Sequence, residues 1–352
     1  MNTYDQVAEL ALRIDGYSLE AHTRRISDEF ERVTTTFHLG GAGEEGIGED
    51  VTYGATEQRA QQERGADLPL AGDWSFDSFS EHVGSLDLFR AGAPEHPPYR
   101  LYRRWAVESA ALDLALRQAG RSLAEVLGRD PRPIAFVVSL RLGQPPSFEP
   151  VQRRLAAYPG IRFKIDATPD WDAALLERLA ATGAVASIDF KGAYKGTPVD
   201  VETDPDLYAR VAEAFPEAWL EDPDLTVPEA DAALRPHRDR VTWDAPIHSV
   251  ADIEALLFPP RTVNVKPSRV GSVKALFEAY DYCDERGMGM YGGGQSELGQ
   301  GRGQIQYLAS LFHPDGPNDI APSGYDWADF PSGLPASPLA PDLEPTGFRR
   351  RI

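Results

Sequence analysis

The chain has 352 residues, a hydrophobic share of 42%, a charged share of 26% and a net charge of −20. That length supports a full core in two domains or in one barrel with an addition, and the acidity excludes nucleic acid and anionic membranes, both of which require basic patches. No apolar run reaches the roughly 20 residues of a membrane span. The N-terminal MNTYDQVAEL has no signal-peptide pattern, and the single Cys283 leaves no internal disulfide, which together predict a cytoplasmic protein.

The N-terminal part reads as strands. VAELALRIDGYSL (residues 7–19) alternates apolar and polar side chains, ERVTTTFHLG (31–40) is β-branched and aromatic, and GIGEDVTYG (46–54) forms the return arm of a hairpin. Residues 41–46, GAGEEG, satisfy a dinucleotide-binding glycine pattern. They lead into a strand instead of a helix, however, and Glu44 and Glu45 would repel a pyrophosphate, so a glycine-rich hairpin is expected. From about residue 99 to 127 the pattern is helical, with Val107, Ala110, Ala111, Leu114 and Ala115 on one face and Gly120 as a stop.

After Pro131 short apolar runs alternate with helical stretches. The runs are IAFVVSL, IRFKID, VASIDF, AWLED, VTWDA, TVNVK and MGMYG. Seven such strands predict parallel βα units closing into a barrel. An open doubly wound sheet is the rival fold, but it needs a phosphate-binding turn after its first strand, and VVSLRLGQPPS is not one. SVKALFEAYDYCDERG makes Cys283 a structural thiol on a helix. The stretch from about residue 322 is predicted to pack back across the N-terminal strands, with Arg349, Arg350 and Arg351 as a solvated tail. His248, past the fifth strand, and His38, on the hairpin, read as structural.

Strand C-termini of a parallel barrel converge on one mouth. Here they carry Lys164, Asp189, Glu221, Asp244 and Lys266. Asp189, Glu221 and Asp244 would repel one another without a cation, and an all-oxygen set suits Mg²⁺, whereas zinc favours His or Cys. A lysine stands on either side of this cluster in strand order. Its ordinary pKa near 10.4 falls with desolvation or a neighbouring dication, which makes it usable as a base.

These motifs resemble the enolase superfamily, in the branch of muconate lactonizing enzymes. IRFKID is similar to the second-strand lysine motif, with the reactive lysine at Lys164. SIDF, WLEDP and TWDA resemble the three metal-ligand strands. NVKPSRVGS places the opposite base at Lys266, and GGGQSELGQGR resembles the seventh-strand loop of o-succinylbenzoate synthases and N-acylamino acid racemases, with its glutamate at Glu297. WAVESAALDLALRQAGRSLAEVLG resembles the family's helical approach to the barrel, and GAGEEGIGED the hairpin of its capping domain. The resemblance implies an α/β fold, a modified (β/α)7β TIM-type barrel over residues 131–322. An α+β capping domain over residues 1–130 would be completed by residues 323–352.

It further implies a Mg²⁺ cofactor, a small-molecule carboxylate substrate and removal of the proton next to that carboxylate through an enediolate. The outcome would be epimerisation, dehydration or cycloisomerisation of the o-succinylbenzoate synthase or N-acylamino acid racemase kind. Muconate cycloisomerisation and dipeptide epimerisation come next, and a barrel that has lost catalysis and serves as a binding protein is the reading of another class. Assembly with further copies of the chain is expected. Lys266 stands where a mandelate-racemase-like site would rely on a His–Asp pair.

Four positions depart from the pattern: Arg162 for a lysine, Asp166 for glycine, Lys191 for asparagine and Ala245 for glutamate. Alternation points Asp166 and Lys191 toward the mouth, where they are expected to pair and shape the substrate pocket while leaving the metal ligands alone.

Overall fold

The computed structural model describes residues 2–26, 30–197 and 199–351. An antiparallel sheet comes first, formed by β2 (Gly16–Arg25), β3 (Glu31–Gly41) and β4 (Glu44–Asp50), beside a ribbon of β1 (Ala11–Ile14) and β5 (Gly72–Ser75). The glycine-rich segment is the predicted hairpin. Ala42 and Gly43 both have positive φ, 52° and 83°, which suits a two-residue turn between right-twisted strands. Gly46 and Gly48 serve packing: a Cβ on either would lie about 2 Å from the carbonyl oxygens of Ala110 and Ala106, so only glycine lets β4 approach the helix Tyr99–Gln118 this closely. That helix carries the predicted apolar face, buried throughout.

Two expectations need correction. Residues 7–8, read as the start of a strand, instead close a helical turn, Asp5–Ala8. Thr3 donates backbone and side-chain hydrogen bonds to Asp281, and this tertiary anchor overrides the local alternation. Arg349 is not solvated either. Its Nε donates to Asp113 at 2.5 Å, and its guanidinium also reaches the Glu45 carbonyl.

Asp113 is fully buried and accepts from Ile47 N and Phe348 N, both at 3.1 Å, so it joins β4, its own helix and the C-terminal segment. Asp113→Ala, which strands Arg349 and two backbone donors, is expected to cost about 3–5 kcal/mol in urea unfolding. Arg351→Ala, at an exposed pair 3.8 Å from Asp342, should change stability by less than about 0.5 kcal/mol.

The predicted barrel strands are all present. Strands β6 (Val137–Leu140), β7 (Arg162–Asp166), β8 (Val185–Asp189), β9 (Trp219–Glu221) and β10 (Val241–Thr242) pair in parallel in sequence order, and β11 (Thr262–Asn264) pairs with β12 (Gly289–Tyr291). Asn264 N donates to the Trp243 carbonyl at 3.0 Å, continuing β10 into β11. Residues 318–320 complete the ring: Asp319 N donates to Gly292 O at 2.8 Å, and Val137 N donates to Asn318 O at 2.9 Å. Aliphatic and aromatic side chains fill the space between strands and helices, including Cys283, buried as expected. Among the described residues no helix is long and apolar enough to cross a membrane.

Candidate active site

Each strand delivers its chemical group near its C-terminal end. Lys164 follows an irregularity in the β7–β8 ladder, where Phe163 pairs with Val185 but Lys164 with Ser187. Beyond the bulge the register aligns Asp166 with Asp189, and Asp189 with Glu221. Asp244 and Lys266 stand two residues beyond β10 and β11. Asp189, Glu221 and Asp244 are fully buried and Lys164 and Lys266 nearly so. The five residues singled out by their strand-end positions therefore meet inside one mouth.

Lys164 Nζ donates to Glu221 Oε1 and lies 3.1 Å from Asp189 Oδ2 and 3.7 Å from Asp319. Tyr291 donates its hydroxyl to the other Glu221 oxygen at 2.5 Å. Lys266 and Arg269 hold Asp244 at 2.7 and 2.5 Å, and the Tyr194 hydroxyl lies 3.3 Å from it. Asp222 uses both oxygens on fixed backbone, accepting from Asp244 N at 2.8 Å and Ala245 N at 2.9 Å.

The predicted pair forms: Lys191 Nζ lies 3.4 Å from Asp166 Oδ1. The same ammonium also donates to Asp189 Oδ2 at 2.5 Å, so it is not clear of the carboxylate cluster. Glu297 is buried in the loop after β12, accepting from Gln295 N at 2.6 Å and pairing with Arg302 at 3.1 Å. Arg162 is exposed at the start of β7. His248 lies in a loop, its ring 3.1 Å from the Pro246 carbonyl, and His38 pairs with Glu20 and Glu45.

Four buried carboxyls, Asp189, Glu221, Asp222 and Asp244, crowd together at the mouth beside Lys164, Lys191, Lys266 and Arg269. Burial opposes ionisation of Asp189, yet Lys191 and Lys164 hold its carboxyl well below the usual range. Burial likewise opposes Asp244, and Arg269 and Lys266 override it. Glu221 is pushed by burial up to about 8 despite Lys164, and Asp222 up to about 7 by burial with Asp244 and Asp189 close by. Burial disfavours the charge on Lys164, but Glu221 and Asp189 outweigh it and hold the ammonium protonated far above its ordinary range.

Oxygens of Asp189, Glu221 and Asp222 all lie within 4.8 Å of one another. Buried oxygen donors whose ionisation is opposed by burial and by one another, as at Glu221 and Asp222, fit a hard dication such as Mg²⁺, which would favour their charged forms. Asp244, predicted as the third ligand, lies at the same mouth, but its oxygens face Lys266 and Arg269.

Sequence reasoning missed Asp222, Arg269, Tyr291, Tyr194 and Asp319. Arg269 was within reach, because it lies three residues past Lys266 on the one helical turn Pro267–Val270. The Asn264 amide and the Ser187 hydroxyl are buried without a partner among the described residues, an arrangement that polar groups facing a site tolerate.

Among curated proteins the chain is 29% identical over 228 residues to o-succinylbenzoate synthase of Bacillus subtilis (strain 168), a match covering 63% of this chain and 59% of that protein. It is 30% identical to N-succinylamino acid racemase of Amycolatopsis sp, covering 62% and 60%. Both matches span less than two thirds of those relatives. The crystal structure of dipeptide epimerase from Methylococcus capsulatus complexed with Mg ion superimposes with a TM-score of 0.65 at 20% identity, over 91% of this chain and 92% of that one. The fold is thus the one shared by solved members of the enolase superfamily. With that fold, the chain belongs to the family described as Domain of unknown function (DUF8230), matching its N-terminal domain over residues 5–126 and its C-terminal domain over residues 130–327.

Proposed function

We propose that the protein catalyses Mg²⁺-dependent abstraction of the proton α to a substrate carboxylate, yielding epimerisation, dehydration or cycloisomerisation. The observation that carries this reading is the strand order around the mouth: a buried lysine from β7, carboxylates from β8, β9 and beyond β10, and a second buried lysine beyond β11. A substrate carbon held over the carboxylates has a lysine on each side. When bound, Mg²⁺ supplies the positive charge that stabilises the enediolate form of the substrate carboxylate.

Asp189, Glu221 and Asp244 are its ligands in this reading. Asp222 positions Asp244, since its own oxygens are committed to the backbone N–H groups of Asp244 and Ala245, whereas Asp244 is held by side chains that can move. Lys164 is held as the ammonium by Glu221 and Asp189; with those carboxylates engaged by a dication it would take the proton as the free amine, and Lys266 would return one to the opposite face or protonate a leaving group. Arg269 places a fixed positive charge beside Lys266 through their shared partner Asp244. Glu297, Asp166 and Lys191 shape the pocket around the substrate. The named relatives support this chemistry for a carboxylate substrate.

The test is incubation with Mg²⁺ in D₂O of N-succinylamino acids, dipeptides and the precursor of o-succinylbenzoate, with α-proton loss followed by NMR. Exchange at the carbon next to a carboxylate in at least one class is expected, abolished by a chelator. No exchange in any class, from a protein that binds Mg²⁺, would favour a barrel that only binds its ligand.

A further inference from the structure

Lys191 combines two features that pull in different directions. Its backbone has φ +55°, a left-handed conformation that asparagine adopts more readily than lysine. Its long side chain nevertheless turns inward, only 13% exposed, and residue 191 occupies both oxygens of Asp189: the backbone N–H donates to Oδ1 at 2.9 Å and the ammonium to Oδ2 at 2.5 Å. Across from Asp189 the ammonium lies 3.4 Å from Asp166 Oδ1, whose other oxygen accepts from Arg141 Nε at 2.9 Å. A chain of alternating charges, Arg141, Asp166, Lys191 and Asp189, thus runs from the exposed rim after β6 to the carboxylate cluster.

We propose that Lys191 is a built-in cation that competes with a divalent ion for Asp189, and that Asp166 is a positioning residue that draws the ammonium away. Two alternative acceptors, one inside the cluster and one outside it, give the ammonium a place to go when Asp189 is taken. An uncharged residue at 191 leaves Lys164 as the one remaining ammonium beside Asp189 among the described residues. The pair therefore sets the divalent-ion concentration at which the site fills. This inference rests on the metal centre proposed above.

It is tested by calorimetric titration of the full chain with MgCl₂, using wild type, Lys191→Asn, Lys191→Met, Asp166→Asn and the double variant Asp166→Asn/Lys191→Asn. Asparagine suits the backbone at 191, and methionine keeps the stem without the charge. Both single variants at 191 are expected to bind Mg²⁺ about tenfold or more tightly, the order expected when a unit charge beside a ligand oxygen is removed. Asp166→Asn should bind severalfold more weakly, and this loss should vanish in the double variant, because Asp166 acts through Lys191. Melting in EDTA gives a readout independent of activity: Lys191→Asn should lower the metal-free Tm yet enlarge the rise produced by Mg²⁺.

Unchanged or weaker Mg²⁺ binding in both 191 variants overturns the proposal, as does an equal effect of Asp166→Asn with and without Lys191, which would mark a direct field of Asp166. No Mg²⁺ binding by any variant overturns both this inference and the proposed function. Tighter binding in the 191 variants, with no α-proton exchange, would sink the function alone.

Discussion

Replacing Lys164 by alanine is expected to lower turnover by about 10²–10⁴-fold at saturating Mg²⁺, the contribution of a positioned general base. The geometry also predicts what accompanies that loss. Without a metal, Lys164 is the counter-charge for Glu221 and Asp189, at full burial. Removing one partner of a buried ion pair costs about 3–5 kcal/mol, so the metal-free alanine variant should unfold at lower urea than wild type, and Mg²⁺ should return much of the difference.

Lys164→Arg separates the two roles. A guanidinium supplies the counter-charge and should restore metal-free stability, yet it stays protonated at any working pH and should not restore turnover. If Lys164→Arg were as active as wild type, the lysine would be an electrostatic prop and the base would lie elsewhere. Lys266→Ala is expected to behave differently according to the reaction. In an epimerase it should abolish exchange from one substrate enantiomer while sparing proton loss at Lys164, whereas in a dehydration it should affect product formation more than α-proton exchange.

The barrel was legible because its strands read as short apolar runs and five of them in succession carry an ionisable residue near the C-terminal end. Period-2 alternation also placed Asp166 and Lys191 on the mouth side, and they do pair. What alternation cannot supply is side-chain reach. Lys191 was expected to serve the pocket alone, but its stem is long enough to reach Asp189, two residues back, once the backbone turns into the left-handed region.

Asp222 was invisible for a related reason. Alternation sends it to the opposite side from Glu221, yet its φ of +48° departs from strand geometry, and this turns its carboxylate onto the backbone of Asp244. The helical turn at residues 5–8 and the docking of Arg349 depend on partners hundreds of residues away, Asp281 and Asp113, which no local pattern contains.

Glu221→Gln is expected to remove Mg²⁺ binding almost entirely. Glu221 is fully buried, and its oxygens meet those of Asp189 and Asp222 within ligand distance. A neutral amide in that place keeps the volume but withdraws one of the charges that make a dication preferable to water. In wild type an ion present at 100 times its dissociation constant should add about 2.7 kcal/mol to unfolding stability, a gain that melting with and without EDTA reads directly. The glutamine variant should show no such gain, together with loss of α-proton exchange. The companion variants Asp244→Asn and Asp222→Asn then assign the third ligand. Asp244→Asn should weaken Mg²⁺ binding by orders of magnitude while freeing Lys266 and Arg269 of their shared partner. Asp222→Asn puts an amide donor against a backbone N–H, so it should lower stability in EDTA as well as metal affinity. If Asp222→Asn alone abolishes binding and Asp244→Asn leaves it intact, the ion is held by Asp189, Glu221 and Asp222, and Asp244 serves only to orient Lys266.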